Sequence, residues 1–135
     1  EMLRSLVGSE MCIRDSDITG LILKKAFEVH STLGPGLLES AYEECLFYEL
    51  SQCNLLVERQ KALPIIYKGI KVDAGYRLDI VVNNCVIVEL KSVETLPPIH
   101  TSQLITYLKL SNIKHGLLIN FNVKSLKEGI KRYIV

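Results

Sequence analysis

Residues 75–91, GYRLDIVVNNCVIVELK, constrain this chain more than any other stretch. Val, Ile and Leu supply β-branched and aliphatic bulk on both sides of Asn83-Asn84, the pattern of two buried strands joined by a short turn. Three charges interrupt the apolar run: Asp79, Glu89 and Lys91. Strand side chains alternate, so Ile87, Glu89 and Lys91 share one face while Val86, Val88 and Leu90 share the other. An acid and an amine thus project side by side from an otherwise apolar strand. Burying an unpaired charge costs on the order of several kcal/mol, so these groups either pair with one another or are held for a metal and a substrate.

The turn decides whether Asp79 joins them. A two-residue loop at Asn83-Asn84 would pair Asp79 with Val88 and turn it away from Glu89. An odd-numbered loop reverses the parity, for instance Val82-Asn83-Asn84 with Asn84 left-handed, a conformation Asn tolerates well. Asp79 and Glu89 then line one face, diagonally across the pair. The odd loop is the reading adopted, because only that register brings two carboxylates within reach of one cation.

The rest of the chain supplies one domain around this hairpin, since 135 residues bury a single core. A formal net charge of +1 offers no global attraction to nucleic acid, so such binding needs a local patch. Lys109, Lys114, Lys124, Lys127, Lys131 and Arg132 gather with few acids between them, as a solvated surface or a phosphate-binding one. Cys12, Cys45, Cys53 and Cys85 form no C-x-x-C pair and have no His at zinc spacing, which favours free thiols in a cytoplasmic protein. No apolar run reaches the roughly 18 to 20 residues of a membrane span, so no membrane partner is expected. Residues 1–16 lack the periodicity of the chain beyond them, and SLVGSEMCIRDS resembles translated sequencing-adapter sequence. They read as a non-native or disordered leader, with the domain at residues 17–135.

In chain order, apolar residues at three- and four-residue steps predict a helix from Asp17 to Leu33, ended by Gly34-Pro35-Gly36. A second helix is expected over residues 37–52, with Glu39 and Tyr42 on neighbouring surface positions and Glu39 favoured by the helix dipole. By its residues alone Glu39 is a well-placed surface acid. Residues 55–57 and 62–67 are β-prone, Lys68-Gly69 is a turn, and residues 70–74 return toward Gly75, where a bulge or bend is expected. Arg77 shares the expected face of Asp79, most economically as an ion pair. Pro97-Pro98 opens a helix to residue 111 that carries Gln103 and Tyr107 at i, i+4, with Leu104, Leu108 and Leu110 as further apolar contacts. Residues 115–121 read as a buried strand and residues 129–135 as an edge strand or short helix.

Asp79 followed by Glu89-Leu90-Lys91 resembles the acid, then acid-x-lysine, signature of the PD-(D/E)XK nuclease superfamily. Gln103 and Tyr107 are similar to the Q-x-x-x-Y pair of its RecB-type members, and Gly36-Leu37-Leu38-Glu39-Ser40-Ala41-Tyr42 resembles the motif that names the GxxExxY family. The resemblance runs from about Asp17 to the C-terminus. It implies an α/β, restriction-endonuclease-like core, a central mixed β-sheet flanked by helices.

It also implies hydrolysis of nucleic-acid phosphodiester bonds with Mg²⁺ or Mn²⁺. Such a cation lowers the pKa of a bound water and acts as a Lewis acid on the phosphoryl group. Asp79, Glu89 and the backbone carbonyl of Leu90 would be its ligands, and Glu39 an outer-shell ligand through water. Lys91 would orient the water or meet the phosphate charge; beside two acids it stays protonated, which favours the electrostatic role. Gln103 and Tyr107 would position Lys91, water or the nucleic-acid backbone. The implied partner is nucleic acid, DNA rather than RNA, with a homodimer through an exposed edge strand as one assembly that cuts two strands. Two other readings stay open: a nucleic-acid- or protein-binding module that keeps the fold without turnover, and a structural charge network within an interaction protein.

Overall fold

Ile18, Ile22, Ala26 and Val29 recur at helical spacing and are buried together on the inner face of α1 (Asp15–Leu33) in a computed structural model that describes residues 14–135. The helix starts at Asp15 rather than Asp17; two acids in its first turn complement the positive end of the dipole. The rest of the expected leader, and Cys12 with it, lies outside the described residues. Gly34 and Gly36 take φ of 71° and 102°, a backbone that ends the helix and turns the chain. α2 (Glu39–Ser51) begins at Glu39 rather than residue 37, because Leu38 is extended.

Seven strands come next: β1 (Val57–Ala62), β2 (Ile65–Tyr67), β3 (Ile70–Val72), β4 (Arg77–Val82), β5 (Val86–Lys91), β6 (His115–Asn120) and β7 (Ile130–Ile134). Five form one mixed sheet in the order β1-β4-β5-β6-β7, while β2 and β3 make a separate ribbon. Only β5 and β6 are parallel, joined by the crossover helix α3 (Pro98–Ser111). Ile80, Val82, Val88 and Leu90 pack under α1 and α2. Leu78, Val81, Ile87 and Leu118 pack under α3. The result is the expected α/β restriction-endonuclease-like core, a mixed sheet between helices.

The strands outside the central hairpin depart from expectation. β1 occupies Val57–Ala62, the Glu-Arg-Gln-Lys stretch between the two expected strands, because an edge strand keeps one side in water and tolerates charge there. Pro64 interrupts the chain before β2, and β3 stops at Val72. The C-terminal segment is an edge strand, not a helix, entered through a short 3-10 turn at Leu126–Gly129. Leu110, placed by its spacing among the apolar contacts of α3, is 40% exposed.

The hairpin loop is odd, but it lies one residue further along than expected. Val82 pairs with Val86, so the loop is residues 83–85, with Asn83 and Asn84 both left-handed at φ 52° and 53°. Asn83 ties the loop to the segment before β1: its Oδ1 accepts from the Leu56 amide (2.8 Å) and its own amide donates to the Leu56 carbonyl (2.7 Å). The shift places Asp79 directly across from Glu89 rather than diagonally. Among the described residues no helix is long and apolar enough to cross a membrane, and Cys45, Cys53 and Cys85 are free thiols.

Candidate active site

The ladder between β4 and β5 runs from Val82↔Val86 to Ile80↔Val88 and stops. Beyond it the two carboxylates take the places of backbone acceptors. The Asp79 amide donates to Glu89 Oε2 at 3.0 Å, and the Leu90 amide donates to Asp79 Oδ2 at 2.9 Å. Each acid thus satisfies a main-chain donor of the opposing strand, and the strands part into a notch. The Leu90 carbonyl points the same way as its amide, into that notch, whereas the Lys91 carbonyl turns toward β6 and accepts from the Phe121 amide (2.9 Å).

On the outer side β1 shapes the same spot. Its register with β4 runs Arg59↔Ile80 and then Lys61↔Leu78, so Gln60 and Asp79 fall out of the ladder. Gln60 is left-handed at φ 48°. Leu78 and Ile80, which simple alternation would place together, lie on opposite faces of the sheet. Asp79 sits at this reversal and belongs to neither face, whereas Glu89 keeps the alternation of Ile87 and Lys91 on the α3 side. The expectation of two carboxylates on one face is therefore corrected: they meet in the gap between the strands, because the left-handed Gln60 rotates the β1–β4 pair at that point.

Asp79 opens onto a cleft of about 660 Å³ under the start of α2, lined by Glu39, Glu43, Gln60, Asp79, Leu90 and Ser92. Gln60 Nε2 bridges Glu43 Oε1 (2.7 Å) and Asp79 Oδ1 (3.3 Å), and Arg59 holds the other Glu43 oxygen at 3.2 Å. Neither Glu43 nor Gln60 was singled out from the sequence. Glu43 was legible as the i+4 neighbour of Glu39 on one helix face. Nothing in the sequence marks Gln60.

Glu39, the first residue of α2, accepts from the Ser92 amide at 3.3 Å, while the Ser92 hydroxyl donates to the Leu37 carbonyl at 2.6 Å. Tyr42 holds the loop that delivers Glu39. Its hydroxyl donates to the Gly34 carbonyl (2.5 Å) and accepts from the Leu37 amide (3.2 Å), and its buried ring stacks on Phe121 with centroids 4.5 Å apart.

Burial pushes the Glu89 carboxyl up to about 8, and the adjacent Asp79 charge adds to the rise against the opposing pull of the Asp79 amide and Lys91. Asp79 is raised too, by burial first, with Glu43 reinforcing it and the Leu90 amide, Gln60 and Lys91 opposing. Two crowded acids that hold a proton near neutrality suit a hard dication, which would displace that proton. Two carboxylates and a carbonyl oxygen match the all-oxygen preference of Mg²⁺ or Mn²⁺. Among the described residues no three His, Cys, Asp or Glu side chains converge at ligand spacing, so water and substrate oxygens would complete the shell.

Lys91 is half-buried and, among the described residues, has no carboxylate within 4.0 Å. Its charge nevertheless acts on both acids and on His100. His100, in the first turn of α3, was not singled out from the sequence; its pKa is lowered by burial and then by Lys91, against the opposing effect of Glu39. Gln103 and Tyr107 line a different groove, on the α3 side, with Ile65, Tyr76 and Ile99. The Tyr107 pKa is raised by burial and then by the Glu89 charge. Arg77 is exposed and, among the described residues, forms no ion pair with Asp79; the expected pair is absent because β4 rotates between them. The basic residues from Lys109 to Arg132 are exposed, and none lines the cleft.

A family model of the PD-(D/E)XK nuclease superfamily matches residues 16–133, and the chain belongs to that superfamily. Its nucleases generally use divalent metal ions, and membership implies nucleic-acid binding. No curated protein and no solved structure matches the chain.

Proposed function

We propose that this chain is a Mg²⁺- or Mn²⁺-dependent nuclease of the GxxExxY family that hydrolyses phosphodiester bonds, with DNA the favoured substrate. The observation that carries this reading is the reciprocal exchange between Asp79 and Glu89, each carboxylate bonded to the other strand's main chain, which interrupts the ladder at a buried and a half-buried acid. A structural ion network would pair such acids with a cation at contact distance. Among the described residues Lys91 acts on both acids through its charge but has no carboxylate within 4.0 Å, unlike the cation of a closed ion pair.

Asp79, Glu89 and the Leu90 carbonyl would hold the cation, with Glu39 contacting it through water. A hard dication held there would supply an activated water and polarisation of the phosphoryl group. Gln60 and Glu43 keep the Asp79 carboxylate aimed at the notch, and the Glu39–Ser92 contact fixes the end of β5. Lys91 meets the charge that develops on the phosphoryl oxygens. Gln103 and Tyr107, together in the groove on the α3 side, would position Lys91, water or the nucleic-acid backbone.

The test is cleavage of labelled single- and double-stranded DNA and RNA with Mg²⁺, Mn²⁺ or chelator. Cleavage is expected with either metal and not with chelator. Asp79→Ala and Lys91→Ala should each lower it by about a hundredfold or more while circular dichroism stays unchanged. Nucleic-acid binding without metal-dependent cleavage would put a non-catalytic binding module in its place.

A further inference from the structure

Among the described residues the β2–β3 ribbon is the one paired element outside the main sheet, and the nuclease reading gives it no task. Its turn, Lys68-Gly69, has both residues at positive φ (48° and 81°), the geometry that closes a two-residue hairpin. Ile65 pairs with Val72 and Tyr67 with Ile70, so these four share one side while Ile66 and Lys71 share the other. On the four-residue side Ile65 faces the groove of Tyr76, Gln103 and Tyr107, but Tyr67, Ile70 and Val72 are 60%, 64% and 40% exposed. A two-stranded ribbon is marginal in water by itself, and apolar exposure of this kind marks a contact surface.

Charge identifies the occupant. Between residues 64 and 77 the cations Lys68, Lys71 and Arg77 face one acid, Asp73, in a chain whose formal net charge is only +1. A second copy docked on this side by two-fold symmetry would set one net-positive ribbon, with Lys68 at its turn, against another. A polyanion would not meet that repulsion. The Lys68 ammonium lies over one face of the Tyr67 ring, 5.5 Å from its centroid, which sets a phosphate partner against a 60% exposed aromatic side chain whose other face is left for a base. The ribbon also springs from the Ala62↔Arg77 pair, at the end of β4 that carries Asp79, and Tyr76 at its base packs edge-on against Tyr107 at 6.0 Å.

We propose that the β2–β3 ribbon is a nucleic-acid-binding arm that stacks an unpaired base on Tyr67 and holds a flanking phosphate with Lys68 at the turn, feeding a single strand toward the groove of Tyr76 and Tyr107. This rests on the nuclease reading and adds the strand class that the site receives. Anisotropy of labelled oligo-dT and of a blunt duplex, in chelator, tests it on the full chain. Tyr67→Ala should weaken oligo-dT binding about tenfold, and Tyr67→Phe should restore it. Lys68→Ala should reduce the salt slope of log affinity by about 0.7, the value for one lost phosphate contact on a single strand, and Lys71→Ala, on the other side of the ribbon, should change it less. Unchanged affinity in all these variants overturns the arm while leaving the nuclease intact. An equal loss on the duplex overturns the unpaired-base contact. A wild-type chain that cleaves yet does not hold oligo-dT also overturns the arm, and one that neither binds nor cleaves any strand overturns both readings. A wild-type dimer in light scattering that Tyr67→Ala converts to monomer assigns the surface to a second copy instead.

Discussion

The two ends of the β4–β5 hairpin are built on opposite terms. At the turn end Val81, Val82, Val86 and Ile87 are fully buried and the ladder is complete. At the other end Asp79 and Glu89 replace ladder bonds with carboxylate contacts, and both acids are held in an environment that disfavours their charge. Apolar burial at the turn end is the stabilising half, and the notch draws on it. A strand pair buried this thoroughly at one end can hold an unfavourable charge pair at the other, the usual relation between a scaffold and a strained site.

The largest effect that would test this contrast is at the turn end. Ile87→Ala is expected to cost about 2–5 kcal/mol in denaturant unfolding, the range for deleting a buried aliphatic side chain. A loss below about 1 kcal/mol would mean that the apolar end does not carry the hairpin.

The opposite sign is expected two residues further along the same strand. An unfolded Glu89 ionises near 4.5 and the folded one near 8, so below about 4.5 both states hold the proton. As pH rises through that window the unfolded chain releases its proton first, and metal-free stability falls, with a limiting slope of about 1.4 kcal/mol per pH unit. The fall levels off above about 8, and Asp79, shifted in the same direction, adds to it. Glu89→Gln should therefore match wild type near pH 4, exceed it in melting temperature at pH 8, and lose cleavage. Wild-type melting that stays level from pH 5 to 8 would show that the notch is ionised throughout, and the contrast would disappear.

The smallest effect sharpens how the two ends are joined. Tyr42→Phe keeps the stack on Phe121 and removes both hydroxyl contacts to the 34–37 loop, at a cost of about 0.5–1.5 kcal/mol. Because that loop delivers Glu39, cleavage should fall further than the stability loss accounts for at a temperature where the variant is fully folded. Wild-type rates from the folded variant would mean that Glu39 is placed without Tyr42.

Much of the site was legible because strand alternation is local. Glu89 and Lys91 could be put on one face of β5 from two-residue spacing, and the apolar bulk around Asn83-Asn84 marked a buried hairpin, whose odd loop followed from bringing two carboxylates within reach of one cation and lies one residue further along than expected. The charged run in β1 hid a strand, since its edge position keeps half of it in water. Asn84 was legible as left-handed; Asn83 and Gln60, which share that conformation, were not, because only their neighbours hold them there.

By itself, then, the sequence determined an apolar strand pair carrying two acids and a lysine, framed by helices, and the superfamily signature that goes with it. Tertiary structure alone decided where the carboxylates point. The turn of β4 at Asp79 depends on Gln60 in β1 and Glu43 in α2, residues 19 and 36 positions away in the chain. Alternation is a rule within one strand, whereas the aim of a buried carboxylate is set by whichever donors the neighbouring elements bring to it.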